Sequence, residues 1–535
     1  MTQREPSRTT DARGWSVAPL TLGDPGISRL GTVLVVLLAL ALAGPASAGD
    51  RIEATLTVSQ EPAGPRIEPA IQGQFVEHLG TGVYGGLWVG PDSRIPNTRG
   101  FRNDVIAALR RLHVPVVRWP GGCFADDYDW RDGIGPPAQR PVRLNKVWGN
   151  VPDDNRVGTH EFMDFSELIG ADVYVAGNMG SMPPRAMAQW LEYMTSPDPR
   201  SSLADERRRN GREQPWTVKY LGIGNESWGC GGHMRPEYAA DLHRQYATFL
   251  RSPVVRVGSG DGQGDDHVTE VMMERARDDM DALSLHYYTV PGDWSNKGRA
   301  TGFDAARWAK TLQVALHIDD RIATTAAIMD RFDPARRVAL FVDEWGLWHD
   351  PEPGTNGAFL QQQNTLRDAV VAALTFDVFH RHTDRVRMAN IAQMVNVLQA
   401  MILTDGDRMV LTPTYEVFDL YRPFQGATPL KATLATPPYD RDGVTLPAVD
   451  ASVARGADGA MLLALVNLDP QRAAHVATNL ATVASGRLLT ASTMDAHNTF
   501  DRPDAVAPVA YAGRVIGGRL QFDLPPMSIA VVTIR

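Results

Sequence analysis

The sequence predicts an α/β fold: a (β/α)8 TIM barrel followed by a C-terminal antiparallel β-sandwich. Three observations carry this. From about residue 70, short apolar runs alternate with amphipathic helical stretches eight times, and eight strands close a barrel. No glycine-rich phosphate fingerprint follows the first run, which argues against an open nucleotide-binding sheet. Beyond about residue 407 the helical period gives way to two-residue alternation between Gly, Pro and Asp turns.

In chain order, residues 1–48 read as an export signal. Val33 to Ala43 is an unbroken apolar run, and Ala46-Ser47-Ala48 is a small-residue cleavage pattern with cleavage expected after Ala48. The run falls short of the roughly 20 residues a spanning helix needs. The stretch before it sets four Arg against Glu5, Asp11 and Asp24, which leaves open a start downstream of Met1 or an uncleaved anchor. A secreted or periplasmic protein is the expectation, with no membrane attachment after cleavage. Residues 49–69 contain a strand, Arg51–Ser59, with Ile52, Ala54, Leu56 and Val58 on one face. Lacking a helical partner, it is expected to join the C-terminal sandwich.

Residues 70–406 form the expected barrel. Its strands are read at Ile71–Glu77, Val114–Trp119, Asp172–Asn178, Val218–Asn225, Val254–Gly258, Ala282–Tyr287, Val338–Glu344 and Met388–Val395. Helical patterns between them include Asn103–Leu112, Pro184–Met194, Pro236–Leu250 and Phe359–His380. Pro236 suits a helix start, where its missing N–H would be unpaired anyway. Residues 407–535 form the expected sandwich, with strands at Gly459–Asn467, Arg487–Thr493, Arg519–Leu524 and Met527–Ile534.

Composition narrows the function. A net charge of -9 disfavours nucleic acid and anionic membranes, which an acidic surface repels. Neutral sugars remain compatible, and twelve tryptophans supply flat rings for stacking, although many serve the core. His78, His113, His160, His233 and His286 lack metal-ligand spacing, so neither a metal nor another cofactor is expected. No Gly-x-Ser-x-Gly elbow occurs, which argues against serine hydrolase chemistry.

Reacting groups of such barrels sit at the C-terminal ends of strands. There the apolar runs break into Glu77-His78, Arg118-Trp119, Asn225-Glu226, His286-Tyr287-Tyr288, Asp343-Glu344 and Gln393. Glu226 and Glu344, on strands 4 and 7, would face each other across the mouth. Glycoside hydrolysis needs two such carboxylates: one protonates the leaving oxygen, the other meets the developing oxocarbenium charge. A structural ion pair, or a carbohydrate-binding protein without catalysis, is the plainer alternative.

Longer segments make the pattern specific. Gln74–Gly80, Val117–Cys123, Gly224–Gly232, Val342–Trp345, Ala392–Asn396 and Leu411–Thr414 together resemble glycoside hydrolase family 51, the α-L-arabinofuranosidases. The resemblance runs from about residue 52 to the C-terminus. It implies a retaining exo-acting enzyme that removes terminal arabinofuranosyl units from hemicellulose or arabino-oligosaccharides, with Glu226 as acid/base and Glu344 as nucleophile. It also implies that Glu77, Asn225 and Gln393 bind sugar hydroxyls and that Arg118 and Tyr288 orient the nucleophile, with His286 beside them. Trp348 is implied as a wall for the leaving group, with Trp148 a weaker candidate. Relatives of this kind suggest a homo-oligomer. β-Xylosidase, galactofuranosidase or endoglucanase specificity on the same machinery stays open. Cys123 and Cys230 either form a disulfide beside the acid/base or stay reduced, with Cys123 packed on the sugar. A Cα separation above about 7 Å would exclude the bridge.

Overall fold

In a computed structural model, which describes residues 51–535, eight parallel strands close into a barrel. The apolar run Val33–Ala43 and its cleavage pattern lie outside the described residues. The barrel strands are Gly73–Phe75, Val116–Trp119, Asp172–Gly177, Tyr220–Ile223, Val255–Gly258, Ala282–Thr289, Ala339–Leu347 and Val386–Ala392. Each pairs with its sequence neighbour, and the eighth closes on the first through Asn390–Ala392 and Gly73–Phe75. Val116, Tyr174, Tyr220, Val257, Ala282, Phe341 and Met388, one from each of seven strands, pack into one buried cluster. This apolar plug leaves the opposite, C-terminal end free for polar groups.

Two helices depart from the sequence pattern. The helix expected from Phe359 spans Leu366–Arg381 instead. Its start is set by a capping box: Thr365 Oγ accepts from Arg367 N, and Asp368 Oδ2 accepts from Thr365 N. Nearly every residue of it is buried, including the polar Arg367, Asp368, Asp377 and His380, and His380 Nδ1 meets Ser452 Oγ at 2.9 Å. The expectation that helical structure ends near residue 407 needs correction, because Pro413–Tyr421 is a fully buried helix. Thr412 caps it by accepting from Tyr415 N, and Tyr415 Oη donates to Ala108 O at 2.8 Å. Glu416 and Asp419 are buried along with its apolar residues, so no solvent-facing stripe marks its period.

Ten of the remaining strands form one sheet system whose inner faces are apolar, and the others pair off as two-stranded ribbons. Ile52–Pro62 pairs antiparallel with Thr428–Ala435 and parallel with Ala474–Thr478, burying Ile52, Ala54, Leu56 and Val58. Thr428–Ala435 joins the two layers: Thr428 and Pro429 pair with Arg455 and Ala454, while later residues pair with the N-terminal strand. Trp308 Nε1, on the 28-residue helix Ala305–Phe332, donates to Leu468 O at 2.9 Å. Among the described residues, no helix is long and apolar enough to cross a membrane.

Candidate active site

The polar strand ends converge at the C-terminal mouth. On the seventh strand Asp343 and Glu344 are neighbours, which a regular strand would send to opposite faces. Pairing shifts register here on both sides, between Ser284 and His286 and between Val342 and Trp345. The irregularity lets both carboxylates reach one imidazole. Asp343 Oδ1 lies 3.1 Å from His286 Nε2, and Glu344 Oε2 lies 3.5 Å from Nδ1. From the fourth strand's end, Glu226 Oε1 lies 2.9 Å from the same Nδ1. One oxygen of Glu226 and one of Glu344 fall within 4.8 Å of each other.

Donors surround Glu344. Arg118 Nη1 donates to Oε1 and Tyr288 Oη donates to Oε2, both at 2.7 Å. Arg118 Nη2 also donates to Asn225 Oδ1 at 2.6 Å, so one guanidinium ties three strand ends together. It lies 4.7 Å from the centroid of Phe75, a cation–π contact that offsets part of its burial. Burial would raise the Asp343 pKa, but Arg118, His286 and the Tyr174 hydroxyl hold it below the ordinary carboxylate range. Burial pulls His286 down, yet Glu344, Asp343 and Glu226 outweigh it and push this pKa well above the ordinary imidazole value. A doubly protonated ring satisfies both flanking carboxylates.

Glu77 ends the first strand. Its Oε1 accepts from Gly122 N, Phe124 N and Trp148 Nε1 at 3.1, 2.9 and 2.9 Å. Gln393 Nε2 donates to its other oxygen at 3.3 Å. Burial, then the charge of Glu344, still push the Glu77 carboxyl up to about 7. Gly122 allows the close approach here, since a Cβ would stand 2.8 Å from Glu344 Oε1.

Glu77, Cys123, Asn225, Glu226, Tyr288, Glu344, Trp348 and Gln393 line one narrow pocket, with Trp148, Leu79, Leu360 and Leu398 completing its walls. Arg118 and His286 stand behind the carboxylates. The spacing of Glu226, His286 and Glu344 would suit a cation, but Arg118 and Tyr288 already take both Glu344 oxygens.

Cys123 and Cys230 are joined in a disulfide, with Cα atoms 5.5 Å apart, which resolves the alternative left open by the sequence. Their sulfurs lie 3.8 and 3.5 Å from Glu226 Oε2; carrying no proton, they offer packing rather than hydrogen bonds, and no thiolate for a metal.

Glu226 itself adopts φ +38°, a left-handed conformation uncommon for a side-chain-bearing residue. Asp126 steadies it. One oxygen accepts from Asn225 N at 2.9 Å, the other from Met179 N and Gly180 N at 3.0 Å each. Burial nevertheless raises Asp126 to about 7. Sequence reasoning missed Asp126, which lies in a single 3-10 turn, Ala125–Asp127, without periodicity. It also missed Asp153, which meets His78 Nδ1 at 2.7 Å.

The chain is similar to known proteins in sequence and in fold. A sequence profile of the "Alpha-L-arabinofuranosidase 1 domain" matches residues 108–306, and one of the "Alpha-L-arabinofuranosidase C-terminal domain" matches residues 343–528. An "Intracellular exo-alpha-L-arabinofuranosidase" of Bacteroides ovatus is 47% identical over 92% of this chain and 98% of its own length. The crystal structure of the GH51 arabinofuranosidase from Xanthomonas axonopodis pv. citri is 54% identical, covers 91% of this chain and all of its own, and has a TM-score of 0.88. The chain belongs to the glycoside hydrolase family 51 α-L-arabinofuranosidases.

The family 51 fold extends to the arabinose complex of the Thermotoga maritima α-L-arabinofuranosidase, with a TM-score of 0.79 at 28% identity over 90% of this chain and 99% of that one. Membership also corrects one expectation. The reading of a secreted or periplasmic protein with a signal peptide is contradicted by the Bacteroides ovatus relative, which is intracellular by name. The supporting residues, Val33–Ala48, lie outside the described residues. An eleven-residue apolar run is a compositional signal, and the acid-bearing stretch before it makes a poor basic n-region.

Proposed function

We propose that this family 51 enzyme removes terminal non-reducing α-L-arabinofuranosyl units from hemicellulose or arabino-oligosaccharides by double displacement. Glu344 attacks the anomeric carbon, and Glu226 protonates the leaving oxygen and then deprotonates the incoming water. The observation that carries this reading is the spacing of the pair. Retaining glycosidases hold their carboxyl groups about 5–5.5 Å apart, inverting ones about 6.5–9.5 Å. An oxygen-to-oxygen approach within 4.8 Å fits the first class.

Donor geometry supports the division of labour. One donor on each oxygen of Glu344 fixes a lone pair toward the pocket. Glu226 has His286 on one oxygen and disulfide sulfurs by the other, leaving it free to pass a proton. In this reading Asn225, Glu77 and Gln393 take the hydroxyls of the furanose, Arg118, His286 and Tyr288 position the carboxylates, and Trp348 with the Cys123 disulfide walls the cleft. Residues 70–406 act as the catalytic unit, and 407–535 with the strand from residues 49–69 act as its support.

The purified protein is expected to release nitrophenol from 4-nitrophenyl α-L-arabinofuranoside in preference to the β-D-xylopyranoside and β-D-glucopyranoside. Release from either of those but not from the arabinofuranoside would overturn the specificity.

A further inference from the structure

The segment from Thr289 to Ala305 leaves the sixth barrel strand beside the pocket and projects a rigid turn. Asp293 and Asn296 exchange backbone hydrogen bonds at 3.1 Å, and Asp293 Oδ1 accepts from Ser295 N, Ser295 Oγ and Asn296 N at 2.8, 2.6 and 2.9 Å. Asp350 anchors the far side, accepting from Lys297 N and Gly298 N at 3.2 and 3.0 Å. Two residues before that anchor, Trp348 donates its own N–H to Thr289 O at 3.1 Å. The turn is therefore fastened to the strand end that carries the pocket wall.

At its tip stands Trp294, 61% exposed. Its ring centroid is 5.4 Å from that of Trp348, with the planes at 85°. Trp348 in turn lies 5.0 Å from Tyr288, whose hydroxyl donates to Glu344. Lys297 Nζ sits 5.8 and 5.7 Å from the two indole centroids. Scattered exposed apolar residues need no explanation. This one continues an aromatic line that starts at Glu344, held still by hydrogen bonds, with an ammonium at its edge. A sugar ring matches that surface: its C–H face stacks on the indole, and its hydroxyls accept from the lysine.

We propose that Trp294 and Lys297 form a subsite for a neutral leaving-group sugar outside the pocket. The proposal rests on the arabinofuranosidase reading and names where the rest of the substrate lies. It is tested with Trp294→Ala and Trp294→Phe, comparing kcat/KM on α-1,5-arabinotriose and on 4-nitrophenyl α-L-arabinofuranoside. The ratio of the two is expected to fall about tenfold in Trp294→Ala, the size of one lost stacking contact, chiefly through KM. Trp294→Phe should recover most of it. An unchanged ratio overturns the subsite. So does an equal loss on both substrates with an altered sedimentation coefficient, which would make Trp294 a self-association contact. Wild-type inactivity on both substrates would overturn the underlying reading as well.

Discussion

Glu344→Gln is expected to abolish turnover, by about five orders of magnitude, the scale seen when a covalent nucleophile is removed. The amide keeps the side chain's size but cannot form the glycosyl-enzyme, and among the described residues no other carboxylate occupies that position. Asp343 faces His286 and Tyr174, and Glu77 is bound by three donors on one oxygen. The fold is expected to survive, because Arg118 keeps Asn225 at 2.6 Å and Asp343 at 3.7 Å. The check is kcat on 4-nitrophenyl α-L-arabinofuranoside with near-ultraviolet circular dichroism as a control for folding. A loss below about tenfold would remove Glu344 from the reaction.

Glu226→Ala should behave differently on different substrates. Unactivated arabino-oligosaccharides need a proton on the leaving oxygen, so their hydrolysis is expected to slow by roughly 10³ to 10⁴. Nitrophenolate leaves with little help, so its release should slow far less, limited by the missing base in the second step. Azide should restore part of that release, since it can enter the space vacated at 2.9 Å from His286 and attack without deprotonation. Parallel losses on both substrates, with no response to azide, would mean that Glu226 is not the acid/base.

The barrel and the carboxylate pair were legible because each rests on a local pattern. Apolar runs that stop at polar residues mark strand ends, and Gly224-Asn225-Glu226 and Asp343-Glu344 stop at the same end of the barrel. Asp126 was not legible: its role comes from three backbone donors on two strand ends, which only the closed barrel brings together. The same holds for Asp343, since alternation along a regular strand points it away from Glu344, and a register shift in the pairing reverses that. The disulfide needed a distance, because two cysteines 107 residues apart carry no spacing signal. The short helix Pro413–Tyr421 escaped because it is buried on every side, Glu416 and Asp419 included, so no polar stripe reveals its period. The N-terminal run misled for the opposite reason: it is a clear composition whose meaning depends on context.

The stereochemical course of the reaction tests the central geometry most directly. Proton NMR of the first-formed arabinose, recorded before mutarotation, should show the α-furanose, because attack by one carboxylate and then by water inverts the anomeric carbon twice. First formation of the β-anomer would mean a single displacement by water, which two carboxylates this close leave no room for.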